Sequence, residues 1–238
     1  ERVDQLSIDS LSQKWITFLL TATDANIRSN EILYTQGGIL PNFCPPPARF
    51  ATVYNNRLVL SGLEDPYACI YSKELEIGAP IEFAEEFTFV IDRVGGPITG
   101  QGVLDDKLIT FKRDSIYANY GYGPDKLGNG SFYPSPQLIP SNTGCIDHRS
   151  ITGVKEGLVY KSEQGFQLLL SNLDQSPIGL PVEDENGLKL TSVTRNKDQS
   201  HVLFTHSDGE SLVYDYRLSQ WSSFTPFRGL DSVRWQGK

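Results

Sequence analysis

Five aromatic side chains in one polar, glycine-rich stretch are the residues of this 238-residue chain best suited to molecular recognition. The stretch spans residues 117–140, and its aromatic residues are Tyr117, Tyr120, Tyr122, Phe132 and Tyr133. Aromatic side chains next to Gly and Asn offer a large contact area at low entropic cost, as in protein interfaces and sugar platforms. We therefore expect a partner-binding site here. The alternative is a loop whose aromatic residues pack back on their own sheet.

The histidines and acidic runs do not form a recognisable catalytic, metal or cofactor motif. Asp147 and His148 are adjacent, but no nucleophile in a GxSxG-like turn accompanies them. His201 and His206 are five residues apart on one expected strand and therefore point to opposite faces. The acidic run 183–187 lacks the ligand spacing of a calcium loop. No glycine loop followed by a helix is available to hold phosphates, so we expect no metal site and no cofactor.

Glycoside hydrolysis needs two suitably placed carboxyl groups, and the sequence offers few. The candidates are Asp65, Glu85, Asp92, Asp106 and Asp147. Asp106 falls in an expected turn, where Asp bonds to nearby backbone without any catalytic role. Only Asp92 follows an apolar alternating run, 87–91, and one carboxylate is not a pair. We therefore expect that the protein is not an enzyme.

Composition narrows the partners further. The net charge is −8, and no concentrated basic face is visible, which disfavours sequence-specific nucleic-acid binding. No run of about 18 apolar residues is present, so no membrane-spanning segment is expected. The three cysteines Cys44, Cys69 and Cys145 are widely spaced and are expected to be buried thiols rather than disulfide partners or zinc ligands.

A repeated unit organises the chain. An apolar strand, a polar turn and a second strand ending in small or hydroxylated residues occur together, as at 49–54, Asn55-Asn56 and 57–62. The leading strands begin near residues 5, 49, 98, 150, 189 and 230. A spacing of roughly 40 to 50 residues is typical of propeller blades. The pattern predicts an all-β protein, a β-propeller of about five four-stranded blades. We interpret 1–238 as a single domain and as a fragment of a longer chain.

One unit shows all four strands of a blade, at 190–194, 202–206, 211–216 and 221–224. No window shows a helical pattern; the nearest, 74–86, is interrupted by Gly78 and Pro80. The two long irregular stretches are the proline-rich 37–47 and the aromatic 117–140.

The order of the strand motifs resembles the propeller domain of bacteriophage tail proteins. The likeness is strongest over residues 49–170, and the remaining residues match only as blades. It rests on a succession of short strings at 56–62, 70–73, 96–100, 107–112, 115–117, 144–145, 149–151, 157–160 and 165–166.

This resemblance implies a structural protein of the virion, of the nozzle, tubular or head-to-tail adaptor type of short-tailed phages. Its partners would be other tail proteins, copies of itself in a ring, and the host surface. The propeller would support tail assembly, line a DNA conduit or bind fibres. The charge of −8 suggests an acidic conduit wall that repels passing DNA, and a channel lined with Lys and Arg would contradict this idea.

Two other classes of propeller remain possible from the residues alone. A carbohydrate-active or carbohydrate-binding five-bladed propeller, glycosidase-like, would bring three or more carboxylates into one pocket at the central channel. A cellular protein-interaction propeller would show a contiguous apolar patch on one rim.

Overall fold

The computed structural model describes residues 23, 39–225 and 229–232 of the chain. The chain divides into two units, 1–38 and 39–238, and every strand named below lies in the second. Sixteen strands form four antiparallel four-stranded sheets, each in simple meander order. Blade 1 contains β1 (Phe50–Tyr54), β2 (Arg57–Ser61), β3 (Ala68–Ser72) and β4 (Phe83–Val90). Blade 2 contains β5 (Ile98–Leu104), β6 (Lys107–Lys112), β7 (Ile116–Asn119) and β8 (Gln137–Ile139). Blade 3 contains β9 (Thr152–Gly153), β10 (Gly157–Ser162), β11 (Gly165–Leu170) and β12 (Gln175–Pro177). Blade 4 contains β13 (Leu190–Asn196), β14 (His201–His206), β15 (Ser211–Asp215) and β16 (Gln220–Phe224).

Successive sheets meet through their first strands. Strand β1 contacts β5, β5 contacts β9, and β9 contacts β13. Four-stranded meanders that follow one another and converge on their first strands are the blades of a β-propeller. The all-β propeller fold predicted from the repeat is therefore confirmed. The strands expected at 5–9 and 14–19, and most of the one expected near 230, lie outside the described residues.

The hairpin turns follow from the residues at their tips. Asn55 and Asn56 join β1 to β2 with φ of 45° and 56°, and Asp105 has φ of 52° in the corresponding turn of blade 2. Asn and Asp tolerate this left-handed conformation, and two such residues in sequence produce a tight turn that matches the strand twist. The polar turns predicted from the repeat thus lie where the sequence places them.

The hydrophobic core lies between the blades. One cluster, around Tyr71 and Phe87, fills the space between blades 1 and 2, and a second, around Phe111 and Tyr160, lies between blades 2 and 3. A third joins blades 3 and 4 around Phe204. Because both faces of a sheet are covered, β6, β7 and β10 are buried almost continuously rather than in alternation.

Helical structure in the described residues consists of two short 3-10 segments, His148–Ser150 and Leu180–Gly187. The interrupted pattern at 74–86 forms a loop followed by the start of β4, as its Gly and Pro suggest. In the part of the chain that is described, no helix is long and apolar enough to cross a membrane.

Two sequence-based expectations need correction. Cys69 and Cys145 are buried free thiols, but Cys44 is exposed, because it lies in the proline-rich connector rather than on a blade. Asp92 lies beyond the end of β4, where its carboxylate accepts a hydrogen bond from the Val94 amide at 3.1 Å.

The first strands, which line the side where the blades converge, are nearly uncharged. Among β1, β5, β9 and β13, Arg195 on β13 is the one charged side chain. The acidic residues behind the net charge of −8 therefore lie elsewhere, and the described blades do not provide the acidic wall expected for a DNA conduit.

Three buried phenols make the fold sensitive to alkali. Burial raises the pKa of Tyr71, Tyr133 and Tyr160 from 10 to about 12. Because these pKa values are raised in the folded state, their stabilisation is complete below pH 10 and is lost as pH rises towards 12, by at most ~2.7 kcal/mol each. We expect the free energy of unfolding in urea to fall steeply over this range, together with phenolate absorbance.

The variant Tyr71→Phe tests the cause. Among the described residues the Tyr71 hydroxyl has no hydrogen-bond partner, so its removal should not lower stability at pH 7 and should reduce the alkaline loss. The exposed control Tyr122→Phe should leave the pH dependence unchanged. An identical alkaline slope in all three proteins would contradict this explanation.

Candidate functional site

The loop between β7 and β8, residues 120–136, leaves its own blade and lies over blade 1. Its Tyr133 is buried in the core cluster between blades 1 and 2. The Tyr133 ring packs edge-on against Tyr71, with 4.7 Å between centroids, and also contacts Phe89 and Tyr54. The loop is therefore part of the contact between the two blades.

The Arg57 guanidinium holds this loop through main-chain carbonyls. Arg57 is fully buried at the start of β2. Its Nε donates to the Tyr122 carbonyl at 3.0 Å, and its Nη2 donates to the Pro124 carbonyl. Its Nη1 donates to the Ser72 carbonyl of β3 at 3.0 Å. One planar cation therefore joins two places in the loop to the sheet of blade 1.

Further bonds fix both ends of the loop. The Asn55 amide and the Tyr54 hydroxyl both donate to the Gly121 carbonyl, at 2.6 and 3.2 Å. At the other end, the Asn119 amide donates to the Pro134 carbonyl at 3.2 Å. The backbone on either side of the remaining aromatic residues is thus held in place.

The remaining aromatic residues face solvent on this fixed backbone. Tyr122 is 77% exposed and Phe132 is 46% exposed, while Tyr120 is half-buried. Together they border a shallow cleft of about 460 Å³, which we call the aromatic cleft. Its lining consists of Tyr120, Gly121, Tyr122, Gly123, Ser131, Phe132 and Pro134.

The structure therefore divides the five aromatic residues selected from the sequence. Tyr120, Tyr122 and Phe132 come together at the aromatic cleft. Tyr117 lies on β7 and is buried, with the Lys112 ammonium 5.3 Å from its ring centroid, and Tyr133 is buried in the inter-blade core. These two support the loop, as expected for aromatic residues that pack back on the blades.

The chemistry of the aromatic cleft suits an apolar peptide segment better than a sugar. Its side-chain polar groups are the Ser131 hydroxyl and two phenols, with no carboxylate or amide in the lining. Sugar hydroxyls need several charged or amide partners, whereas apolar and proline-containing segments pack on aromatic faces. The cleft can therefore bind through contact area but offers little for recognising hydroxyl groups.

The other sequence candidates are engaged in local interactions. Asp147 binds Arg149 with both oxygens, at 3.0 and 2.9 Å, and Asp106 pairs with Lys107 at 2.7 Å. Across the described ranges, no three His, Cys, Asp or Glu side chains come close enough to hold a metal ion.

Sequence inspection missed Arg57, the residue that positions the cleft. It appeared only as the first residue of a strand after the Asn-Asn turn. The available signal was a long cation opening an apolar strand, but its carbonyl partners lie 65 and 67 residues further along the chain.

Comparison with known proteins adds structural neighbours and no family. No family model matches the chain, and no curated protein matches it. BamB from Moraxella catarrhalis matches at 12% identity and a TM-score of 0.46, over 76% of this chain and 50% of that protein. The Pan2 WD40 domain of Neurospora crassa matches at 12% identity and 0.43, over 75% and 50%. The N-terminal domain of Nup159 matches at 13% identity and 0.44, over 84% and 48%. The chain spans about half the length of these structures, and the propeller assignment rests on its own sheet order and contacts.

Replacing Arg57 should release the loop. The variant Arg57→Met keeps the apolar stem but leaves three carbonyls without their donor, so we expect a loss of about 2–5 kcal/mol in unfolding free energy. Amide hydrogen exchange in residues 120–134 should accelerate more than in blade 4. The control Arg217→Met, at an exposed position, should change stability by less than about 0.5 kcal/mol. Unchanged exchange in the loop would show that Arg57 does not hold it.

Proposed function

We propose that this β-propeller is a non-catalytic scaffold that binds protein partners through the aromatic cleft. The observation that carries the proposal is the exposure of Tyr122 and Phe132 on a backbone fixed by Arg57. Exposed aromatic residues on a mobile loop would lose entropy on binding. Here the folded protein has already ordered the loop, so the contact area is available at a lower entropic cost.

We place this scaffold in a phage tail, where it would bind other tail proteins and further copies of itself in a ring. The order of the strand motifs over residues 49–170 supports this setting, as a resemblance. The nearly uncharged first strands fit a structural role in which side-chain packing matters more than an electrostatic wall. A cellular interaction propeller would use the same cleft, and the partner distinguishes the two.

Removing the exposed aromatic residues should abolish assembly without unfolding the blades. For the double variant Tyr122→Ser/Phe132→Ser we expect partner affinity to fall at least about 10-fold, because exposed aromatic anchors dominate such contacts. The melting temperature should stay close to wild type, since Tyr117 and Tyr133 remain in place. Native mass spectrometry and particle imaging of the full-length parent protein provide the measurement.

The matched control is Ile77→Ser/Leu218→Ser, which removes two exposed apolar side chains outside the cleft. It should assemble as the wild type does. Rings that persist in the cleft variant would show that another surface makes the contact. A parent protein that stays monomeric with all tail components would refute the tail setting.

A further inference from the structure

A second cleft, of about 550 Å³, lies at the ends of the first strands opposite the aromatic cleft. We call it the polar cleft. Three blades contribute to it: Arg49 and Phe50 at the start of β1, residues 97–99 at the start of β5, and residues 146–149 before β9. The turn after β2, residues 62–66, completes the lining.

The turn that carries His148 is rigid. Asp147 caps the turn and binds the Arg149 guanidinium with both carboxylate oxygens. The Ser150 hydroxyl donates to the Asp147 carbonyl at 2.6 Å and accepts from the Lys161 amide at 2.8 Å. The His148 ring rests against Phe50, with 4.8 Å between centroids. His148 is therefore a fixed side chain at the edge of the cleft.

Two glycines make room for the side chains of this cleft. Gly62 has φ of +67°, and a Cβ there would lie 2.9 Å from the Arg49 Cβ. A Cβ on Gly100 would lie 3.0 Å from the His148 Cβ and 2.5 Å from Ile151 Cδ1. Arg49 and His148 occupy their positions because these two residues carry no side chain.

The polar groups left available are a cation, an anion and an imidazole. Arg149 and Asp147 neutralise each other, whereas Arg49 and Glu64 form no ion pair within the described part of the chain. Burial lowers the pKa of His148, so its ring is neutral at pH 7 and offers one donor and one acceptor. Phe50, Pro66 and Pro97 add apolar surface beside these groups.

We propose that the polar cleft binds an acidic sugar. The Arg49 guanidinium pairs with the sugar carboxylate, and Glu64 and His148 bind its hydroxyl groups. The prolines and Phe50 contact the apolar face of the sugar ring. A dianion such as phosphate fits less well, because Glu64 adds a negative charge to the same cleft. Binding and not cleavage is expected, since Asp147 is held by Arg149 and one carboxylate remains where hydrolysis needs two.

Titration with D-glucuronate, methyl glucoside, acetate and N-acetylglutamate tests this assignment, with isothermal calorimetry and ligand-observed NMR as readouts. We expect glucuronate to bind at least about 10-fold more tightly than methyl glucoside, which lacks the carboxylate, and than acetate, which lacks the ring. The variant Arg49→Gln should weaken glucuronate about 10- to 100-fold, as for loss of a charge-assisted hydrogen bond. The control Arg217→Gln should bind as the wild type does.

Glu64→Gln is a second variant for the case in which Arg49→Gln disturbs folding. It should weaken glucuronate and leave acetate binding unchanged, because Glu64 contacts hydroxyl groups and not the carboxylate. Equal binding of methyl glucoside and glucuronate would overturn the proposal. So would an affinity for N-acetylglutamate matching that of glucuronate, which would assign the cleft to acidic peptides, or the absence of any glucuronate binding.

Discussion

Buried cations solvated by main-chain carbonyls hold the blades and their loops together. Both faces of each described sheet are covered, so the connecting segments must be fixed from within. Arg57 fixes the loop 120–136, and the Lys112 ammonium donates to the carbonyls of Asp92 and Val94 between blades 1 and 2. The Lys161 ammonium donates to the Leu188 carbonyl before blade 4, at 2.7 Å. Carbonyl dipoles satisfy the hydrogen bonds of these cations without neutralising their charge, and burial accordingly lowers the pKa of Lys112 and Lys161.

The choice of cation follows the number and direction of the carbonyls. Arg57 meets three carbonyls in different directions, which a planar guanidinium can serve at once. Its charge also lies 5.9 and 5.8 Å from the ring centroids of Tyr71 and Phe87. A lysine at the same place would be a single point donor. Where one short segment is to be held, as at residues 92–94, a lysine is sufficient.

The sequence predicts local structure well and long-range placement poorly. The turns at Asn55-Asn56 and Asp105-Asp106, and the complete meander of blade 4, follow from adjacent residues. The fate of Tyr133 does not, because its neighbours in the core, Tyr71 and Phe89, belong to another blade and to a distant part of the chain. An exposed and a buried aromatic residue in one glycine-rich loop look the same in sequence. Only the packing of blade 1 separates Phe132 from Tyr133.

The two proposed sites lie at opposite ends of the same strand. β1 runs from Phe50, whose ring supports His148 in the polar cleft, to Tyr54, whose hydroxyl binds the Gly121 carbonyl beside the aromatic cleft. Five strand residues separate their ends by roughly 15 Å. A protein at the aromatic cleft therefore does not block a sugar at the polar cleft. Because β1 is paired along its length with β2 and contacts β5, the two clefts also have no hinge between them. Binding at one should leave the other unchanged, which suits a scaffold that connects an assembly to a surface.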